Sequence, residues 1–191
     1  MCPTARGVST PQRRASAHVP DRARAVLDLE LVTMRTDKAL RIGVEVGGMM
    51  IVLMALVRLF GVPVRVELLL GSLFVAPGPW AWLLGAVLFL LGSGIVALGY
   101  AAVFEHLAQR ADATTGVVTS LAHMVLSGAL LSALPSVHPR VTETMASPGP
   151  YFAGLGLVGV LVFVSLHLTF GALVGGLYHE VRHPRLHRAA I

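Results

Sequence analysis

The sequence holds one cysteine, Cys2. That excludes an intrachain disulfide and any cysteine-based metal site. Charge is scarce as well: 13% of the 191 residues are Asp, Glu, Lys or Arg, where an ordinary soluble domain carries about a quarter. A phosphate-binding glycine loop, a nucleophile elbow and a His-Glu-x-x-His motif are all missing from the sequence. No residue is therefore assigned a catalytic role, and no metal site is assigned. Nothing resembles a nucleic-acid-binding motif, so the net charge of +5 does not point to nucleic acid. The first 41 residues contain no apolar segment. A secretory signal peptide needs one, and so does a lipoprotein signal ending at Cys2; neither is expected.

What the chain does have is long apolar runs, with 55% hydrophobic residues overall. Residues 152–178 (FAGLGLVGVLVFVSLHLTFGALVGGLY) contain no charged side chain. A helix of that length exceeds a hydrocarbon core of about 30 Å. No period-two alternation favours a barrel strand, and only helices and closed barrels satisfy their backbone in lipid. Three further runs, 42–60, 80–104 and 116–134, read the same way. The chain is predicted to be an all-α polytopic membrane protein: a four-transmembrane-helix bundle with an amphipathic N-terminal segment, its partner the lipid bilayer. Down one side of the last helix lie Gly159, Phe163, His167, Gly171, Gly175 and His179. The glycines allow a neighbouring backbone to come close, so this stripe should face protein. Gly43 and Gly47 are spaced for the same use in the first helix.

The remaining segments are polar or ambiguous. Residues 1–20 are rich in Pro, Ser, Thr, Ala and Arg and read as a disordered basic tail, with an organelle transit peptide as the alternative. Residues 21–41 begin at Asp21, a helix-capping residue, and form an interfacial or solvated amphipathic helix. Residues 64–79 include an apolar run too short to cross, closed by Pro-Gly-Pro at 77–79; a half-inserted segment is expected. Pro135 should end the third helix. Residues 180–191 are a basic, His-rich tail, in which His179, His183 and His187 repeat at four-residue steps with Pro184 interrupting them. Twelve of the fifteen Lys and Arg fall on one side if both termini lie together. Positive residues collect on the cytoplasmic side, so N- and C-termini are expected in the cytoplasm, with a bacterial inner membrane as the location.

Within the helices, His123 and His167 are the first functional candidates, because an ionisable group inside a membrane helix is a site hypothesis by default. Rise per residue puts both just inside the midplane, about 10 and 16 Å from the cytoplasmic ends of adjacent antiparallel helices. Two such imidazoles can hold a b-type haem axially, which makes haem b the one cofactor this pattern suggests. Otherwise each hydrogen-bonds a neighbouring helix, or lies on a proton or substrate pathway. Glu45 and Arg58 are pathway or ion-pair candidates in the first helix. Arg58 should reach the outer headgroups. Glu45 should lie near the cytoplasmic surface, within reach of His106, Arg110 or His179.

A short apolar helix, the Gly-x-Pro bend at Gly61 and Pro63, an apolar half-segment and a glycine-rich turn succeed one another here. The last helix then carries His167, Gly171, Gly175 and the closing Tyr178. Over about residues 42–179 this arrangement resembles a group of small bacterial four-helix membrane proteins of unknown function. That group often has a histidine in its second helix, where this chain has residues 92–94 (Gly-Ser-Gly) and carries His123 one helix later. The resemblance implies the fold and location and adds no reaction. Three functions remain open: a non-catalytic structural, assembly or interaction component, as a homo-oligomer or with a membrane-complex partner; a haem-bearing redox subunit; and a small transporter or channel.

Overall fold

The computed structural model describes residues 21–141 and 145–182, with side chains over 35–141 and 145–179. The described residues from 34 onward make one compact unit. The expected tail at 1–20, His183 and His187 lie outside the described residues, as do the side chains that would make 21–34 amphipathic.

The fold is an all-α bundle. Helix α1 is Asp21–Leu59, α2 is the short Val66–Gly71, and α3 is Pro79–Ala102. A π-helical turn, Val103–Leu107, continues α3. Helix α4 is Ala113–Val137, and α5 is Gly156–Arg182 after a 3-10 turn at Pro150–Leu155. Four segments are long and apolar enough to cross a membrane: Arg35–Leu59, Pro79–Leu107, Ala113–Val137 and Pro150–His179. The chain is thus a four-helix bundle of membrane-protein type. One end of the unit carries residues 60–78, 138–141 and 145–149 (the loop end), and the other carries the start of α4 and the close of α5 (the terminal end).

Lipid tails are as apolar as leucine, so membrane helices gain little from burying apolar surface and depend on close packing. The sequence supplies that packing with glycine. A Cβ on Gly116 would strike the carbonyl oxygen of Gly171, and one on Gly171 would strike that of Gly116. Gly175 approaches the Asp112 carbonyl in the same manner. Helices α4 and α5 therefore touch backbone to backbone. Gly71 meets the Ala81 carbonyl and Gly85 meets that of Glu67, which seats α2 on the first turns of α3. Gly43 and Gly47 set α1 against Ser93, Gly94 and Ala97 of α3. The buried core splits into two clusters. At the terminal end, Val46, Tyr100, Phe104, Phe170 and Tyr178 pack together; toward the loop end, Met54, Val64, Phe152 and Phe163 do so.

Three boundaries differ from the sequence expectation. Pro135 lies inside α4, which runs on to Val137. Proline there removes one donor in the last turn only, and His138 N–H still reaches the Leu134 carbonyl at 2.8 Å. The π-helical turn prolongs α3 beyond residue 104, until Gln109 breaks it with φ +54°. Residues 21–41 and 42–60 are not separate helices, since α1 is assigned over both ranges. The ambiguous stretch at 64–79 becomes α2 and a turn. It enters the bundle beside Gly85, about 9 Å along α3 from Pro79.

The turn between α3 and α4 is fixed by Asp112, the N-cap of α4, whose Oδ1 accepts from Thr115 N–H at 2.7 Å and from Thr115 Oγ1 at 3.1 Å. The Thr115 backbone bond chiefly, with the nearby Arg110 charge, holds the Asp112 carboxyl below the usual carboxylate range. A depressed folded-state pKa adds stability that is complete above the unfolded value of about 4 and is lost as pH falls through the folded value. Asp112→Asn keeps an acceptor without the charge. Thermal unfolding in detergent should show wild type losing more stability than the Asn variant on acidification below about pH 4.

The glycine contacts give a second prediction. Gly171→Leu should destabilise the fold by about 1–3 kcal/mol or more, because neither backbone can yield. Gly176→Leu, where an added Cβ meets nothing within 4 Å, should leave the unfolding temperature unchanged in the same assay.

Candidate functional site

Close contact of α4 with α5 brings His123 and His167 together. Their ring centroids are 4.8 Å apart at an interplanar angle of 60°. His167 Nδ1 lies 2.8 Å from the Phe163 carbonyl of its own helix. A carbonyl only accepts, so Nδ1 carries the proton and Nε2 of the neutral ring is an acceptor. His123 Nδ1 lies 3.3 Å from the Tyr100 hydroxyl of α3. The hydroxyl can donate or accept there; where it donates, Nε2 of His123 carries the proton and is a donor. Phe170 and Phe163 complete an aromatic surround, at 5.7 Å from His123 and 4.1 Å from His167.

Both imidazoles border a cavity of ≈390 Å³. It exists because α4 packs on α5 and α2 on α3, while α3 and α4 hardly meet. Leu, Val, Met and Phe side chains make most of its wall; Ser93, Ser127, His123, His138 and His167 are its polar members. An apolar hollow of a few hundred Å³ with a few convergent polar groups is the usual form of a small-molecule site.

Haem does not fit this pair as placed. Axial ligation of one iron puts metal and macrocycle between the imidazoles, with ring centroids about 6 Å or more apart. Here the two rings are in contact. Among the described residues no three His, Cys, Asp or Glu gather as a metal site.

The other candidates lie elsewhere. Arg58 does not extend to outer headgroups: its Nη1 bonds both carboxylate oxygens of Glu67, at 3.2 and 3.1 Å, and the Val64 carbonyl at 2.9 Å. Glu67 is wholly buried. Glu45 is exposed on the outside of α1, away from His106, Arg110 and His179, which corrects the expected pairing. The reason is depth. Gly43 and Gly47 cross α3 at residues 90–97, and the span of α3 is centred on Ser93. Glu45 is thus within about one turn of mid-height, not at the surface. His106 is exposed on the π-helical turn. Arg110 sits by Asp112 and Thr115, and His179 Nδ1 is 2.7 Å from the Ala111 carbonyl.

Four residues central to this geometry escape a reading by sequence. Tyr100 is one; a buried phenol within an apolar helix requires a partner, and that is its signal. Glu67 is another, flagged only by Arg58 needing a counter-charge. His138 is buried in the loop after α4. Its Nδ1 accepts from Arg140 and Val141 N–H at 3.1 and 3.2 Å, so Nε2 carries the proton and donates to the Leu69 carbonyl at 3.0 Å. Glu105 receives the Tyr178 hydroxyl at 2.5 Å and faces Arg35 at 3.6 Å. Comparison with protein-family models, curated proteins and solved structures finds no match.

Breaking the Arg58–Glu67 pair leaves one charge unpaired in the interior. Glu67→Met and Arg58→Met should each destabilise, Glu67→Met leaving Arg58 unpaired at a cost of about 3–5 kcal/mol, and Arg58→Met/Glu67→Met should cost well under the sum of the two single changes. Chemical unfolding of all four proteins in one detergent gives the cycle.

Proposed function

We propose that this protein is a non-catalytic binding component of a bacterial inner membrane, with both termini in the cytoplasm, that takes a lipid-soluble molecule into the cavity between α3 and α4. The observation that carries this is two imidazoles in contact at the wall of an apolar cavity; with the Tyr100 phenol donating to His123, Nε2–H of His123 is a donor beside the Nε2 acceptor of His167. A hydroxyl both donates and accepts, so it satisfies both at once. An apolar body fits the rest of the wall. The ligand class is an isoprenoid or acyl-chain alcohol, a phenol or a similar hydroxylated lipid.

A non-catalytic role is supported by what surrounds the rings. The Tyr100 phenol is the only hydroxyl bonded to either imidazole among the described residues. Ser120 and Ser132, the serines of α4 with a bonded hydroxyl, turn back onto the carbonyls of Val117 and Gly128. A transport pathway would draw on Glu45, which instead faces outward. The Lys and Arg count supports the orientation.

Retinol, a fluorescent isoprenoid alcohol, is a suitable probe. The detergent-purified protein should give a saturable fluorescence rise. Ser127→Trp, which fills the cavity, should weaken it at least about tenfold. His123→Phe or His167→Phe should retain binding of the apolar body but lose the preference for the alcohol over its hydrocarbon analogue. A wild-type signal equal to that of empty micelles would exclude the binding role. A Soret band in protein purified from haem-supplied cells would favour the redox function instead.

A further inference from the structure

The outer face of α1 carries a charge that a lipid-facing surface should not have. Glu45 is exposed near the mid-height of the bundle, among the exposed apolar residues Val44, Met49 and Val52. Its side chain is short. It would have to climb more than about 10 Å along the helix to reach either headgroup layer, well beyond its length. An acidic residue at the centre of a membrane helix costs about 2.5–3.5 kcal/mol even on insertion scales, and such residues almost always face protein or a water-filled cavity. No described side chain pairs with Glu45. Arg41 is exposed one turn toward the terminal end on the same face, and the structure shows no bond between the two.

The surroundings of this acid–base pair fit a helix partner. Arg41, Glu45, Gly48, Val52, Ala55 and Leu59 are spaced at steps of four, three, four, three and four, the spacing of a seam between two helices. A Cβ on Gly48 would meet nothing within 4 Å, so the groove is open there. On parallel neighbouring helices a base and an acid four residues apart differ by about 6 Å in height, within the reach of an arginine side chain crossing to the other copy. A face with one base and one acid a turn apart is therefore complementary to itself. Turned about a two-fold axis along the membrane normal, Arg41 of one copy meets Glu45 of the other, and the reverse, as an isologous contact requires.

We infer that the outward face of α1 is a homodimer interface in which Arg41 and Glu45 pair reciprocally with a second copy of this chain. The pairing relieves the lipid-exposed carboxylate of both copies at once. It uses a face opposite the one that packs on α3, so each copy keeps its own cavity.

The test is disulfide cross-linking of the full chain in native membranes. Cys2 is replaced by Ser, and single cysteines are placed at Val52 on this face and at Val118, exposed on α4. Oxidation should link Val52→Cys to a homodimer and leave Val118→Cys monomeric. In the Val52→Cys background, Arg41→Glu or Glu45→Arg alone should reduce the linked fraction about tenfold, and the swap Arg41→Glu/Glu45→Arg should restore it. Restoration separates pairing from misfolding, because the swapped protein carries both changes. Equal linking at the two positions, a swap that fails to restore it, or a linked product containing a different protein would each overturn the homodimer. Retinol binding by Arg41→Glu should match wild type, so this inference fails or stands apart from the cavity reading.

Discussion

Backbone-to-backbone contact through glycine is the constraint on which the rest of this structure depends. In lipid, burying one more leucine gains almost nothing, so helices must find each other by shape. Gly116 and Gly171 each occupy the space that a Cβ on the other would need. The next residues of functional interest are one to two turns away: His123 from Gly116, and His167 from Gly171. The distance between the imidazoles is therefore set by glycines that never touch them. Each added methyl at the crossing would push the two rings apart.

The same economy governs the polar groups. The charged and strongly polar side chains buried at the loop end have partners. Arg58 neutralises Glu67, and the Val64 carbonyl takes a further donor. His138 joins the loop after α4 to α2 by serving two backbone donors and the Leu69 carbonyl. Arg140 adds a bond to the Ser72 carbonyl. These contacts hold α2 in place although it is only six residues long, far shorter than a helix that persists by itself. At the terminal end the π-helical turn keeps Phe104 buried while the next residue, Glu105, meets Tyr178 and Arg35. Both ends are clamped, and the middle stays open between α3 and α4.

Much of the fold is legible in the sequence because the signal is long. Four apolar runs match or exceed the thickness of the hydrocarbon core, and their helical character follows from backbone hydrogen bonding alone. The shared depth of His123 and His167 also comes from counting rise per residue on antiparallel neighbours. What escapes is set by contacts rather than by local pattern. Counting from residue 42 puts Glu45 at the surface, whereas its true height is fixed by where Gly43 and Gly47 cross α3. Arg58 looks like a headgroup anchor because its partner, Glu67, precedes an apolar segment too short to classify. His138 Nε2 lies 3.3 Å from the Ser72 hydroxyl, 66 residues away in sequence, and nothing local to either announces the other. Pro135 reads as a helix stop, yet a proline in the last turn removes a donor where few bonds remain to be lost.

Sorting the charges by whether they are paired separates structure from interaction. Arg58, Glu67, Glu105 and Arg35 are consumed within one copy, and each explains a feature of the fold. Glu45 explains none of it. A carboxylate near mid-height that neither packs, caps nor pairs inside its own bundle would be an uncompensated cost. The two imidazoles present the converse case. Their Nδ1 atoms bond the Tyr100 hydroxyl and the Phe163 carbonyl, which orients both rings and fixes the tautomer of His167, while no bond to either Nε2 occurs among the described residues. Both features are unsatisfied in a single copy, at similar depth, on different faces. A charged partner of matching spacing would meet the first and a small neutral molecule the second, which would make the bundle a scaffold with one site inward and one face outward.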